Sequence, residues 1–175
     1  SGRDLQVQSI AHGVIVLEQL LPEYGADRRR VRVLKHRGRK FRGGYHDYVI
    51  AAGGLRVFPR LIASEHRHRD DDDKFSSDIE GIDTLLGGGL EGGTSTLIVG
   101  AAGTGKSTLA AQFAAAAARR GDRAAMFIFD ESRATLLSRM SGLGSDFEKH
   151  HREGWIAVRQ VDPAELTPGE FANTI

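Results

Sequence analysis

One nonapeptide, GAAGTGKST from Gly100 to Thr108, constrains the fold more than any other stretch of this 175-residue chain. Gly100, Gly105, Lys106 and Ser107 fit the spacing G-x-x-x-x-G-K-[ST] of a phosphate-binding loop. Its glycines let the backbone curl so that successive N–H groups face phosphate oxygens. A helix starting at the loop adds its unpaired N–H groups and the positive end of its dipole. Lys106 brings a mobile charge to β- and γ-phosphates, and Ser107 offers a hydroxyl to Mg²⁺. The expected cup therefore comprises Gly100, Ala101, Ala102, Gly103, Thr104, Gly105, Lys106, Ser107 and Thr108, with Ser107 as metal ligand. No guanine-reading motif is visible, which favours ATP over GTP.

The flanks supply the context this motif requires. TSTLIVG before the loop reads as a strand. The alanine-rich STLAAQFAAAAARRG after it is a strong helix former. Arg119 and Arg120 suit the C-terminus of that helix, and Gly121 the position just past it. AAMFIFD is an unbroken apolar run, as in a parallel strand covered on both faces. A helix over about 134–140 and a third strand in WIAVRQVD follow. Asp162-Pro163 and Thr167-Pro168 each pair a cap with a first-turn proline and a glutamate three residues after the cap. Upstream, IEGIDTLLGGGLEGG reads as a short helix stopped by glycines. This β-α-β-α-β order predicts an α/β fold with a parallel sheet flanked by helices.

Holding a triphosphate is not hydrolysing it. A water or hydroxyl must be oriented in line with the γ-phosphorus, commonly by a carboxylate. Asp130 and Glu131 emerge where the apolar strand ends in FIFDES, at the carboxyl edge where ligands bind in open parallel sheets. The same two acids would also suit a solvated helix N-terminus. Asp162 ends the following strand but precedes a proline cap and is not assigned a metal role. An acid that organises the metal is therefore missing from the reading.

Residues up to about Ile62 have a different rhythm. GVIVLEQL reads as a buried strand, and VRVLKHRG as a strand with one wet face. YVIAAGGLRVFP reads as a hairpin about Gly53-Gly54. Nine Lys or Arg residues and no acid lie between Arg28 and Arg42. A solvated basic face is one reading of Arg28, Arg29, Arg30 and Arg32. A nucleic-acid track, with Phe41 and Tyr45 interleaved, is another. The net charge of +1 gives the whole chain no strong field for such a partner. Between the two segments, ASEHRHRDDDDKFSS reads as a solvated bridge, because adjacent aspartates repel.

These residues resemble a known family. FSSDIEGIDTLLGGGLEGGTSTLIVGAAGTGKSTLAAQFA and FIFDESRATLLSRMSGLG are similar to the KaiC-like ATPases of the RecA superfamily. The first segment, with KHRG and FPRL, resembles the end of the first of two tandem RecA-like domains in that family. The resemblance implies a RecA-like P-loop fold preceded by a mostly β tail. Residues 1–62 would close one domain, 63–77 would bridge, and 78–175 would open the next. It implies ATP hydrolysis with Mg²⁺ in a homo-hexameric ring with nucleotide at subunit interfaces, regulatory protein partners, and self-phosphorylation on Ser or Thr in clock-type members. Asp130 and Glu131 would occupy the catalytic-carboxylate positions. Family members usually carry two glutamates there, and Asp130 is one methylene shorter. Lys35 and Arg37 match cations that reach a neighbouring subunit's γ-phosphate. Two alternatives stand beside this reading: a DNA-binding RecA-like repair ATPase, and a nucleotide switch with little turnover. For these residues by themselves, weak or absent turnover is expected.

The absence of cysteine excludes disulfides and thiolate metal sites and fits a reducing cytoplasm. No apolar run is long enough to cross a bilayer, so no membrane role is expected.

Overall fold

The computed structural model describes residues 8–62 and 73–175. They form two compact units, one of residues 8–62 with 162–175, the other of residues 73–161. Most of the expected bridge, 63–72, lies outside the described residues.

The first unit is built on a four-stranded antiparallel meander. Its strands are β1 (Gly13–Leu20), β2 (Arg28–His36), β3 (His46–Ala51) and β4 (Gly54–Phe58), in that spatial order. β1 pairs with β2 from Gly13↔His36 to Leu20↔Arg28, with an irregularity between Val14 and Ile15. The hairpin expected around Gly53-Gly54 forms, closing on the pair Ala51↔Gly54. Gly53 has φ of 95°, a conformation glycine adopts without a Cβ clash. GVIVLEQL departs from expectation. It is an edge strand, and Ile15 and Leu17 remain 66% and 55% exposed. An apolar run is buried only where a second layer covers it, and β1 has a partner on one side.

A short helix, Pro168–Ala172, belongs to this unit. Thr167 caps it as the sequence predicts, its hydroxyl accepting from Glu170 N at 3.1 Å. The Asp162-Pro163 motif makes only a turn, with Asp162 Oδ1 accepting from Ala164 N at 2.8 Å. Gly169 N donates to Asp47 Oδ2 on β3 at 2.8 Å. That approach requires glycine, since a Cβ there would lie 2.7 Å from the same oxygen.

The second unit begins with β5 (Lys74–Phe75), paired antiparallel with β6 (Leu90–Glu91). The end of the expected bridge is therefore a strand. Between them lies α1 (Glu80–Leu85), stopped by glycines of positive φ at Gly87, Gly88 and Gly89. Asp83 holds the entry to this helix. It accepts from Ser76 Oγ at 2.6 Å, and from Ser77 N and Ser77 Oγ at 2.8 Å. These bonds, Ser76's first, hold its carboxyl below the ordinary value of 3.8.

After the loop comes α2 (Lys106–Arg119), followed by β7 (Ala124–Ile128), α3 (Arg133–Gly142), α4 (Phe147–Arg152) and β8 (Ile156–Gln160). β7 and β8 run parallel, in register from Ala124↔Ile156 to Ile128↔Gln160. The core gathers Ala111, Ala115, Leu136, Met140, Phe147 and Ile156, all nearly inaccessible. Alanines give α2 a smooth face that approaches β7 closely while favouring the helix. Ser132 caps α3, accepting from Thr135 N at 3.1 Å.

One expected strand is not formed. TSTLIVG carries no regular secondary structure and enters no ladder among the described residues. Among the described residues β7 pairs with β8 alone, and no strand lies beside the segment. Leu97 and Val99 stay 85% and 82% exposed.

Candidate functional site

The loop between Gly100 and Lys106 is shaped by two kinds of glycine. Gly103 and Gly105 have φ of 81° and 89°, the left-handed region that side chains with a Cβ resist. Gly100 is needed for space, because a Cβ there would sit 2.6 Å from Thr104 Oγ1. That hydroxyl donates to Ala101 O at 2.9 Å and tightens the turn. Gly105 is the N-cap of α2 and has no side chain to bond the helix's first N–H groups. Those donors are left for a ligand. Lys106 Nζ folds back onto the loop, donating to Gly100 O at 2.8 Å and Ala101 O at 2.7 Å.

A cavity of about 150 Å³ opens here, lined by Gly103, Gly105, Lys106, Ser107, Thr108 and Arg139. Beside it, a second space of about 450 Å³ is bordered by Ala102, Lys106, Ser107, Asp130, Glu131 and Arg139, among others. The structure thus brings the loop's lysine and serine to one depression with both expected carboxylates. Gly100, Ala101 and Thr104 shape the turn and do not line either space. Ser107 is exposed and lines both, so its hydroxyl is open to a metal bound with phosphate. Among the described residues, no group of three His, Cys, Asp or Glu could hold a metal by itself.

The two acids differ. β7 ends at Ile128, and Asp130 sits exposed in the turn that follows. The Glu131 side chain is 19% exposed, covered by Arg139. Arg139 Nη1 donates to Glu131 Oε2 and Nη2 to Oε1, both at 2.9 Å. Arg139 escapes sequence reasoning. It stands eight residues beyond Glu131, a separation that belongs to no motif, and only its place in the last turn of α3 marks it.

Lys35 and Arg37 lie in the first unit, on β2 and in the turn after it. Lys35 Nζ donates to Ser9 O at 2.8 Å and Gln8 O at 3.2 Å, and Arg37 Nη2 to Ser9 O at 3.0 Å. The solvated basic face expected on β2 is corrected. Arg30 Nε donates to Glu18 Oε2 at 2.8 Å, and Arg28 lies 3.4 Å from Asp47. Arg30 and Arg32 stack over Tyr45, at 3.8 and 4.6 Å from its centroid. Hydrogen bonds from Arg30, then from Tyr45, hold the Glu18 carboxyl below its usual range. Glu18 on β1 and Asp47 on β3 thus pair with Arg30, Arg32 and Arg28, which read in one dimension as free charges. Among the described residues no helix is long and apolar enough to cross a membrane.

Comparison with known proteins follows the same lines. The family model "ATPase: KaiC" matches residues 75–168. The circadian clock oscillator protein KaiC of Picosynechococcus sp. is 36% identical over 149 residues, covering 85% of this chain and 28% of that protein. The protein of the same name in Prochlorococcus marinus is 34% identical, covering 85% of this chain and 30% of its own length. KaiC 1 of Synechocystis sp. is 34% identical, with 85% and 28% covered. The chain spans less than a third of the length of these curated relatives.

Proposed function

The chain belongs to the KaiC family of ATPases, and from that premise we propose that it binds ATP with Mg²⁺ at the Gly100–Thr108 loop and hydrolyses it in a ring oligomer. Its α/β fold is the RecA-like P-loop fold of that family. The observation that carries the reading is the start of α2. Helix N–H groups without a side-chain cap, two left-handed glycines and Lys106 surround one cavity. The adjoining space shares Lys106 and Ser107 with that cavity and is also bordered by Asp130 and Glu131, so an anion site and a candidate water-orienting base are neighbours.

In this reading Lys106 releases the carbonyls of Gly100 and Ala101 and takes up a phosphate oxygen. Ser107 would be the loop's ligand to Mg²⁺, which when bound would neutralise phosphate charge. Glu131 accepts a hydrogen bond from the attacking water and orients it. Asp130, shorter and exposed, assists at the rim. The water oxygen bonds to the γ-phosphorus, the β–γ bridging bond breaks, and ADP and phosphate leave. Lys35 and Arg37 are proposed to act on a neighbouring subunit's γ-phosphate. To do so they must leave the Gln8 and Ser9 carbonyls.

The wider reading follows the relatives. Residues 1–62 would close a first RecA-like domain and 78–175 would open a second, joined by 63–77. Hexamer formation, self-phosphorylation on Ser or Thr, service in a circadian oscillator and a cytoplasmic setting belong to the same proposal. The family match and the lack of cysteine support them. The central experiment is Mg²⁺-dependent phosphate release by the chain beside Lys106→Ala and Glu131→Gln. Glu131→Gln is expected to lower kcat by about 10²–10⁴-fold. Because weak turnover is expected of these residues by themselves, Mg²⁺-ATP affinity is measured beside it, and a wild type that binds no more tightly than Lys106→Ala would remove the reading. Labelling with γ-³²P-ATP separates self-phosphorylation from hydrolysis alone.

A further inference from the structure

We propose that Arg139 is a positioning residue for Glu131: its guanidinium fixes the carboxylate at the cavity wall in the orientation hydrolysis requires. The inference rests on the ATPase reading above for its chemistry, and on the geometry of α3 for its substance.

Ion pairs on helices ordinarily join residues one turn apart. Here Arg139, in the last turn of α3, reaches back to a residue that precedes the cap at Ser132. Glu131 stands just before the cap and Arg139 in the helix's last turn, so the guanidinium meets the carboxylate by running back toward the helix N-terminus. The result is a fork: two parallel N–H···O bonds at 2.9 Å that occupy both oxygens of one carboxylate. One such bond would tether Glu131. Two hold the plane of its carboxylate.

Stability is only part of the account. The pair is partly exposed, 37% at Arg139 and 19% at Glu131, and a two-bond contact of this geometry stabilises the fold as well as holding Glu131. Arg139 Nε is buried without a hydrogen-bond partner among the described residues, which counts against the fold. Location is the better guide. Arg139 borders both the phosphate cavity and the space holding Asp130 and Glu131. A two-oxygen bridge leaves each oxygen a further lone pair, enough for Glu131 to accept from one water while Arg139 keeps it in place.

The test uses the full chain as wild type, Arg139→Gln, Arg139→Lys, Glu131→Gln and the Glu131→Gln/Arg139→Gln double variant. Arg139→Gln is expected to lower kcat by about 10²-fold, the scale of a small misplacement. ATP affinity should change by less than about threefold, since no ground-state contact is lost. Arg139→Lys should not restore the rate, because one ammonium cannot make the fork. The double variant should be no slower than Glu131→Gln alone. An unchanged kcat, effects that multiply in the double variant, or a loss of ATP affinity as large as the loss of rate overturns the proposal; the last would make Arg139 a phosphate ligand.

A second measurement does not need turnover. Side-chain ¹⁵N spectra of a bridged arginine resolve its Nη groups because rotation is slowed. Those signals of Arg139 are expected with and without a non-hydrolysable ATP analogue, and should collapse in Glu131→Gln. Their loss when the analogue binds would mean that Arg139 leaves Glu131, and would sink the idea. Where turnover is too weak to compare, as expected of these residues by themselves, the nitrogen signals decide whether Arg139 holds Glu131.

Discussion

Lys106 Nζ donates to the carbonyl oxygen of Gly100 at 2.8 Å, so the loop's lysine is held by the loop's own backbone. A phosphate must displace that bond and its companion to Ala101. A charge-assisted bond to phosphate is the stronger of the two and drives the exchange. Lys106→Ala should weaken ATP binding by about 10–100-fold, the worth of one charged hydrogen bond. Fluorescent-nucleotide titration measures it. Global stability should stay within about 0.5 kcal/mol of wild type, because the side chain supports no core contact. Undiminished affinity would contradict the assignment of the cup.

Gly100 and Thr104 offer a test of loop geometry. Gly100→Ala places a Cβ 2.6 Å from Thr104 Oγ1 and forces that side chain off its bond to Ala101. The expected cost is about 1–3 kcal/mol, with weaker nucleotide binding. Removing the obstacle in Gly100→Ala/Thr104→Ala should recover much of both. Thermal melts and titrations of the two variants would expose an error if the double variant were the worse.

Leu136 lies fully buried on α3, the helix that also carries Arg139. Leu136→Ala should cost about 2–5 kcal/mol by opening a void. The midpoint of urea unfolding reports it. A cost below about 1 kcal/mol would mean that α3 is not packed as described.

Asp83 supplies a pH dependence of known sign. Its carboxyl is lowered in the folded chain by Ser76 and Ser77. A lowered acid stabilises fully above its unfolded value, near 3.9 for aspartate, and the contribution is lost as pH falls through the folded value. The difference in Tm between wild type and Asp83→Asn should therefore be flat from pH 8 to 5. It should narrow only below about pH 4. A difference that already shrinks between pH 7 and 6 would point to another group.

What could be read in advance was whatever a few neighbouring residues decide. The loop's glycines, the cap at Thr167 and the turn at Gly53 depend on local backbone conformation, and each forms as read. What could not be read depends on what lies opposite. Among the described residues TSTLIVG has strand-forming side chains but no strand beside it, and GVIVLEQL has a partner on one side only. The arginines of β2 look free until Glu18 and Asp47 arrive on adjoining strands. Arg139 reaches Glu131 across two helical turns, a meeting that exists only once α3 has formed. The same separation that hid it from a linear scan makes it informative in three dimensions.

The bare segment from Thr94 to Gly100 has a consequence for handling the molecule. It enters no ladder among the described residues and exposes Leu97 and Val99, and unpaired apolar strand-formers are what stacked chains assemble on into cross-β ribbons. Concentrated stocks will clump through this stretch first. A lysine in place of Leu97 should keep them clear without touching the loop that follows.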